Sequence, residues 1–370
     1  MSQDGSPTGI EVSKFFEVRQ TQYGRACFAS QDIPKGVEIL ISNSPFATVI
    51  LHEFRKEVCS SCFGYEYGKY CKVKLTDLPE FKSNKKFRGA GLWFCSEKCM
   101  EDWLKFDSKG ELTQAFETFL EFYQTKTKSP APETTEFNPK ITTEYIELYW
   151  KDIEDWESKA SKMKKTKLLG KLPYLDEDEY TGARLIIHAL YNIYQNHESL
   201  ETFKELQTNE LQKVGRFPAL LRSQASIYQV LKTILPDYLQ PFLTIETIRL
   251  IFGREYGNSF GTWQLVDDKS SENKEFLGYS LFPEASFFNH SCSPNLKKYR
   301  KVNRMHFQTT ADIAKGEQMC IDYFHMLDES LMVRQEVLSK NWFFECACDR
   351  CDEEFRSESY QVKPPPKQIY

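Results

Sequence analysis

The feature that most limits what this chain can fold into is the placement of its cysteines. Cys59-x2-Cys62 and Cys95-x3-Cys99 are two close pairs joined by the stretch 63–94. Each pair can supply two adjacent corners of a tetrahedron, and the connecting loop lets the pairs meet, so together they fit a structural zinc. The surrounding segment is short and polar, and metal would supply much of its folding free energy. Towards the other end, FFECACDRC (343–351) packs Cys346, Cys348 and Cys351 into a C-x-C-x2-C run. A zinc takes four ligands, so a fourth must come from elsewhere, and of the eleven cysteines Cys27, Cys71, Cys292 and Cys320 remain. Periodicity does not choose among them. Cys292 is set apart only by its surroundings, the turn-rich NHSCSPN that follows ASFF.

Metal is the expected role because the first residues, MSQDGSPTGIEVSKFF, carry no visible export signal. In a reducing compartment, paired cysteines more often hold a metal than form disulfides. At 370 residues the chain is expected to fold as one large core with an insertion, or as two to three modules. No apolar run approaches the roughly 20 residues that span a bilayer, and the mean hydropathy of -0.53 reads as soluble, with no membrane partner. The net charge of -5 argues against a nucleic-acid coat. The basic runs KKFR (85–88), KMKKTK (162–167) and KKYRK (297–301) read as solvated surface, so no specific nucleic acid is expected.

Residues 15–50 alternate in short segments broken by turn residues and read as strands. ELTQAFETFLEFY has the apolar spacing of an amphipathic helix, KSPAPETTEFNPK (128–140) is a linker by composition, and 141 to about 250 is mostly helical in pattern. The last third returns to short strands, then a helix leads into the final cysteines and a Pro-rich tail. Strand segments at both ends of the sequence must meet in space, which predicts an α+β fold with a discontinuous core.

FFNHSCSPN, followed by KGEQMCIDYF and FECACDRC, resembles the SET-domain protein lysine methyltransferases. With CSSC and FCSEKC inserted into its N-terminal half, the chain is similar to their SET- and MYND-domain branch, in which a zinc-finger insert splits the SET core. The resemblance implies a β-clip core of short strands in two halves, 12–50 and 251–342. Between them would lie a MYND-like finger (51–105) and a helical and linker insert (106–250), with a post-SET zinc cap (343–355) and a tail (356–370) after them. It implies that Cys292 closes the cap's zinc site, giving two structural zincs, one on Cys59, Cys62, Cys95 and Cys99 and one on Cys292, Cys346, Cys348 and Cys351.

The same resemblance implies S-adenosylmethionine as methyl donor. YGRACFA matches the family's G-R-G start and places Gly24 and Arg25 at the methionine end; YGNSF makes Asn258 a contact. Asn289 and His290 would hold the adenosine and amino-acid portions through side-chain amide and backbone groups, and Phe344 would stack on adenine. Tyr323, which ends CIDY, would be the catalytic tyrosine at the mouth of a lysine channel. The implied partner is a protein substrate with a target lysine, histone or other, acted on by a cytoplasmic or nuclear monomer. Methyl transfer from a sulfonium is an in-line displacement, so positioning is most of the catalysis. An aromatic channel beside a cation also lowers the pKa of the incoming lysine. His188 and His197 read as ordinary helix residues.

The chain departs from the family pattern in four places. Only Cys71 falls between the finger's pairs, so one zinc is expected there rather than two; Ala26 replaces the second glycine of G-R-G, which requires a negative φ. Trp342 stands where relatives commonly place a second channel tyrosine. Only 19 residues follow Cys351, so the C-terminal helical domain of many relatives is not expected and the substrate groove should be more open. Two competing readings are a catalytically weak SET protein acting as a binding module, which Trp342 favours, and a zinc-organised adaptor without cofactor.

Overall fold

The computed structural model describes residues 6–7, 10–22, 24–82, 84–126, 137–265 and 274–357. The expected linker lies outside the described residues up to 136, as does the tail beyond 357. Eleven strands are described: β1 (Ser6–Pro7), β2 (Phe16–Thr21), β3 (Gly24–Ala29), β4 (Glu38–Ser42), β5 (Ala47–Ile50), β6 (Ser259–Trp263), β7 (Phe276–Leu281), β8 (Asn289–His290), β9 (Leu296–Lys301), β10 (Arg304–Thr309) and β11 (Gln318–Ile321). With the sixteen helical segments described they make a mixed α+β protein of short strands, as the alternation of patterns predicts. The chain forms two compact units, one of 1–44 with 282–370 and the other of 45–281.

The first unit carries two sheets, ordered β1-β2-β3-β11-β8 and β4-β10-β9. In β2 the residues Phe16 and Val18 are buried and alternate with half-buried Glu17 and Arg19, the period of a strand with one covered face. β2 and β3 pair antiparallel out to Thr21 and Gly24, and Gly24 turns the chain with φ +98°, a region glycine enters without Cβ strain. Ala26 lies mid-strand opposite Arg19 with its side chain fully buried, so the alanine meets the condition its Cβ imposes. Phe288 sits at the centre of this core, with ring centroids 4.9 Å from Phe16 and 5.1 Å from Phe307. Burying such a side chain contributes about 2–3 kcal/mol. The parallel pairing of β8 with β11 sets Asn289 beside Cys320 and His290 beside Ile321, so the NHSC and CIDY stretches, apart in sequence, become neighbours.

The second unit holds the sheet β5-β7-β6. Gly278 is required by close approach: a Cβ there would lie 2.1 Å from the Val49 carbonyl oxygen. β5 and β7 pair with each other and β6 with β7, so 47–50, 251–265 and 274–281 fall in the same unit as the helical block. Boundaries at 50 and 251 therefore do not coincide with the compact units. Helix Glu177–Gln195 is buried on nearly every face and opens on a reciprocal cap, Glu179 N donating to Asp176 Oδ1 at 2.8 Å and Asp176 N to Glu179 Oε2 at 2.9 Å. Helices Glu111–Lys126 and Ala219–Ile234 follow the apolar periods seen in the sequence. Among the described residues, no helix is long and apolar enough to cross a membrane.

Candidate active site and metal centres

Two thiol clusters assemble, Cys59, Cys62, Cys95 and Cys99 in the finger and Cys292, Cys346, Cys348 and Cys351 in the first unit, each with its four sulfurs within 4.8 Å of one another. A zinc with bonds of about 2.3 Å would hold tetrahedral sulfurs about 3.8 Å apart. The Sγ atoms of Cys62 and Cys95 lie 3.7 Å apart, those of Cys95 and Cys99 3.5 Å, and those of Cys292 and Cys351 3.5 Å, far beyond a disulfide bond. All eleven cysteines are free. Both sets fit zinc by donor type and spacing and could hold it.

Local sequence arranges the finger's thiols. Ser96 caps helix Glu97–Phe106 by accepting from Cys99 N at 3.2 Å, which fixes Cys99 in the first turn. Gly64 N points at Cys62 Sγ from 3.4 Å, and a Cβ on Gly64 would come within 3.2 Å of that sulfur. Cys71 stays outside the cluster with its thiol 3.5 Å from the Glu57 carbonyl, and burial pushes its pKa up to about 12.

The cluster of the first unit is framed by residues that sequence reasoning missed. Arg334, 1% exposed on helix Leu331–Trp342, directs Nε to Cys292 Sγ at 3.3 Å and Nη2 to Glu354 Oε2 at 2.6 Å. Arg350 closes the network, donating to Glu354 Oε1 at 2.7 Å and to the Cys292 carbonyl at 3.0 Å. Gln335 clamps Cys346 from both sides, accepting from its N–H at 2.8 Å and donating to its carbonyl at 2.7 Å. The Cys292 thiol is pushed well below its ordinary range by hydrogen bonds from Cys346, Cys348 and Cys351, as suits a metal-binding thiolate.

Tyr323 stands beside this centre. Its hydroxyl donates to the Phe288 carbonyl at 3.2 Å and its N–H donates to His290 Nδ1 at 3.2 Å. Because Nδ1 accepts, the ring proton sits on Nε2, which faces Cys292 Sγ at 3.4 Å. His290 thus bridges Tyr323 and the thiolate cluster with its imidazole, a use of the ring that the expected backbone role did not include. Asn289 turns its amide to the Arg25 carbonyl at 2.9 Å and pins β3 to β8. Trp342 and Phe344 lie with ring centroids 5.5 Å and 6.3 Å from that of Tyr323, and Phe324 stacks on Trp342 at 5.3 Å. The structure therefore brings Tyr323, His290, Asn289, Arg25, Phe344 and the four cysteines together in one unit. Asn258 belongs to the other unit, where its Nδ2 donates to the Gln207 carbonyl at 3.0 Å and to that of Arg254 at 2.6 Å.

Lys298, on β9, donates its ammonium to the Tyr323 carbonyl at 2.9 Å. The residue as a whole is half-buried but its charged end is enclosed, and that desolvation lowers its pKa from the ordinary 10.5 to about 8. The folded chain then holds fewer protons than the unfolded one between those values, so the penalty is present below about pH 8 and stability rises with pH up to about 10.5. The penalty is at most on the order of 3 kcal/mol, reduced by the residue's remaining contact with water. Lys298→Met should flatten this rise, which urea unfolding at about pH 7 and about pH 10 measures as the difference between the two proteins. Parallel pH profiles for both would remove Lys298 as its source.

The SET domain model matches residues 24–324. The chain belongs to the SET-domain family. A potential protein lysine methyltransferase, SET6, of Saccharomyces cerevisiae is 42% identical over 365 residues, covering 94% of this chain and 97% of that one. A SET and MYND domain-containing protein of Dictyostelium discoideum is 25% identical over 369 residues, covering 89% of this chain and 78% of its own. Protein-lysine N-trimethyltransferase SMYD5 of Danio rerio is 36% identical over 95 residues, 24% of this chain and 23% of that one.

Proposed function

We propose that this protein is an S-adenosylmethionine-dependent protein-lysine N-methyltransferase of the SET- and MYND-domain branch. The observation that carries this reading is the fixing of Tyr323 at both ends, its hydroxyl on the Phe288 carbonyl and its N–H on His290, beside an aromatic wall of Trp342, Phe324 and Phe344. An aromatic, carbonyl-bearing surface suits a sulfonium and a lysine chain. The resemblance of the SET-family relatives to this chain supports a protein as substrate, and a cytoplasmic or nuclear monomer is the form proposed.

Gly24 and Arg25, at the hairpin end of β3, Asn289, His290 and Phe344 are the groups of the first unit assigned to the cofactor; Gly24 offers backbone without a Cβ and Phe344 a half-buried ring face. When bound, S-adenosylmethionine supplies an electrophilic methyl group. The residues of this chain position and align. Asn289 holds β3 in place by its bond to Arg25. Burial keeps the Tyr323 hydroxyl protonated well above its ordinary range, so it orients charge by its dipole and does not act as a base. The aromatic surroundings disfavour an ammonium and so favour the neutral lysine that can attack.

Zinc on the two thiol clusters serves structure, one ion ordering the finger (51–105) and one tying the cap (343–355) to the NHSC turn. The SET core is assigned to 12–50 and 251–342, with 106–250 as an insert. Calorimetric titration of the zinc-loaded protein with S-adenosylmethionine, with metal counted on the same sample, tests the reading. About two zincs per chain and saturable binding support it, and methylation of proteins in a cell extract would complete it. Zinc without binding would favour the adaptor reading.

A further inference from the structure

A cavity of about 40 Å3 in the second unit, at the junction of the finger with helix Glu177–Gln195, is lined by none of the residues assigned to the cofactor or to zinc. Two arginines line it, Arg55 from the finger and Arg184 from the helix, and no Asp or Glu does. Arg184 is 9% exposed. Its Nη1 donates to the Ala90 carbonyl at 2.9 Å, and its guanidinium lies 3.8 Å from the centroid of the Phe116 ring. Ala90 sits in a run of three left-handed residues, Gly89, Ala90 and Gly91, so this bond staples a finger turn to the helix.

Arg184 lines the cavity, and the staple uses only its Nη1. Among the described residues, Nε and Nη2 of Arg184 make no hydrogen bond and neither arginine forms an ion pair. Arg55 donates to the His52 carbonyl and faces His52 Nδ1 at 3.4 Å. The nearby acid, Glu177, pairs instead with His52 at 3.0 Å and is itself mostly exposed. The two imidazoles add no counter-charge: burial lowers His188 to about 4, with Arg184 adding to the effect, and burial followed by Arg55 lowers His52.

Arg184 carries its charge without an acidic partner, and although the residue is largely buried its unbonded nitrogens keep some access to solvent, with the phenyl face compensating in part. What completes it is an oxyanion, whose paired oxygens match the guanidinium fork. At about 10–15 Å3 for each water centre, the cavity has room for about three waters or one small oxyanion, and Leu92, Trp103 and Phe116 belong to its apolar lining.

We propose that Arg184 and Arg55 form a binding site for a small oxyanion, inorganic phosphate or a carboxylate group, whose occupation locks the finger to helix Glu177–Gln195. This does not depend on the methyltransferase reading. The test is titration of the zinc-loaded full chain with phosphate and with acetate, ionic strength held constant with chloride, followed by calorimetry and by thermal unfolding. Saturable heat and a Tm that rises with concentration are expected for at least one of them. A response to phosphate alone identifies a tetrahedral anion as the ligand, and one to acetate alone a carboxylate. Arg55→Gln should weaken binding at least about tenfold with zinc content unchanged. Arg184→Lys, which keeps the charge and loses the fork, should weaken it as well and guards against misfolding of a variant that lacks the charge. No heat and no Tm shift with either anion would overturn the proposal, as would an equal shift in the wild type and in Arg55→Gln.

Discussion

Cys292→Ser should lower the zinc content from about two ions per chain to about one and abolish S-adenosylmethionine binding in the same step. Cys292 is 1% exposed and lies two residues after β8, whereas its cluster partners all lie beyond residue 345. A hydroxyl is a poor replacement for a thiolate at zinc, and a structural site of this kind carries apparent binding energies of about 10–16 kcal/mol. Losing the ion would free the cap, and with it Phe344, from the Asn289–His290 strand. One competing device could hold the cap without metal: Arg334 and Arg350 share Glu354, and Arg350 reaches the Cys292 carbonyl, which the serine variant keeps. Metal analysis and calorimetry on one sample separate the two. Zinc reduced to about one ion with cofactor affinity unchanged would assign the cap to the arginine network, and zinc undiminished would remove Cys292 from the ligand set. Cys59→Ser is the control, expected to lose the finger's ion while the cofactor still binds.

The thiol sets were legible because their information is local. C-x2-C, C-x3-C and C-x-C-x2-C put sulfurs near one another whatever the fold does. The fourth sulfur of the second set was not legible from spacing, because the approach of Cys292 to Cys351 is made by tertiary structure, and only the family motif singled it out. Helices such as Glu177–Gln195 announced themselves by period, whereas the partnership of β5 with β7, more than 200 positions apart, has no local signature. Arg334 shows the limit most directly. In LMVRQEVLSKNW it reads as a solvated charge on a helix, yet it is buried because two thiols and Glu354 replace its water. His290 was picked out for its place in the motif, but its imidazole bridge to Tyr323 and Cys292 depends on the parallel register of β8 and β11.

Tyr323→Phe should leave S-adenosylmethionine affinity within about threefold of wild type and reduce turnover at least about 100-fold, the scale of a lost oriented dipole in a water-poor site. The main-chain contacts that place residue 323, its N–H on His290 and its carbonyl under Lys298, do not involve the hydroxyl and survive the change. What disappears is the hydroxyl on the Phe288 carbonyl, which would leave that acceptor unsatisfied at a stability cost of about 1–3 kcal/mol. Unfolding curves taken alongside the kinetics therefore keep a loss of fold from passing as a loss of chemistry. Raising the pH should not rescue the variant, since burial holds the wild-type proton in place and no ionised tyrosine is being replaced. Unchanged turnover with unchanged affinity would reduce Tyr323 to a packing residue between His290 and Trp342 and shift attention to the indole of Trp342, 5.5 Å away, as the group that shapes the channel. A variant that loses turnover while still binding cofactor would instead tie the chemistry to one oxygen atom, held where the Phe288 carbonyl and the Tyr323 backbone together place it.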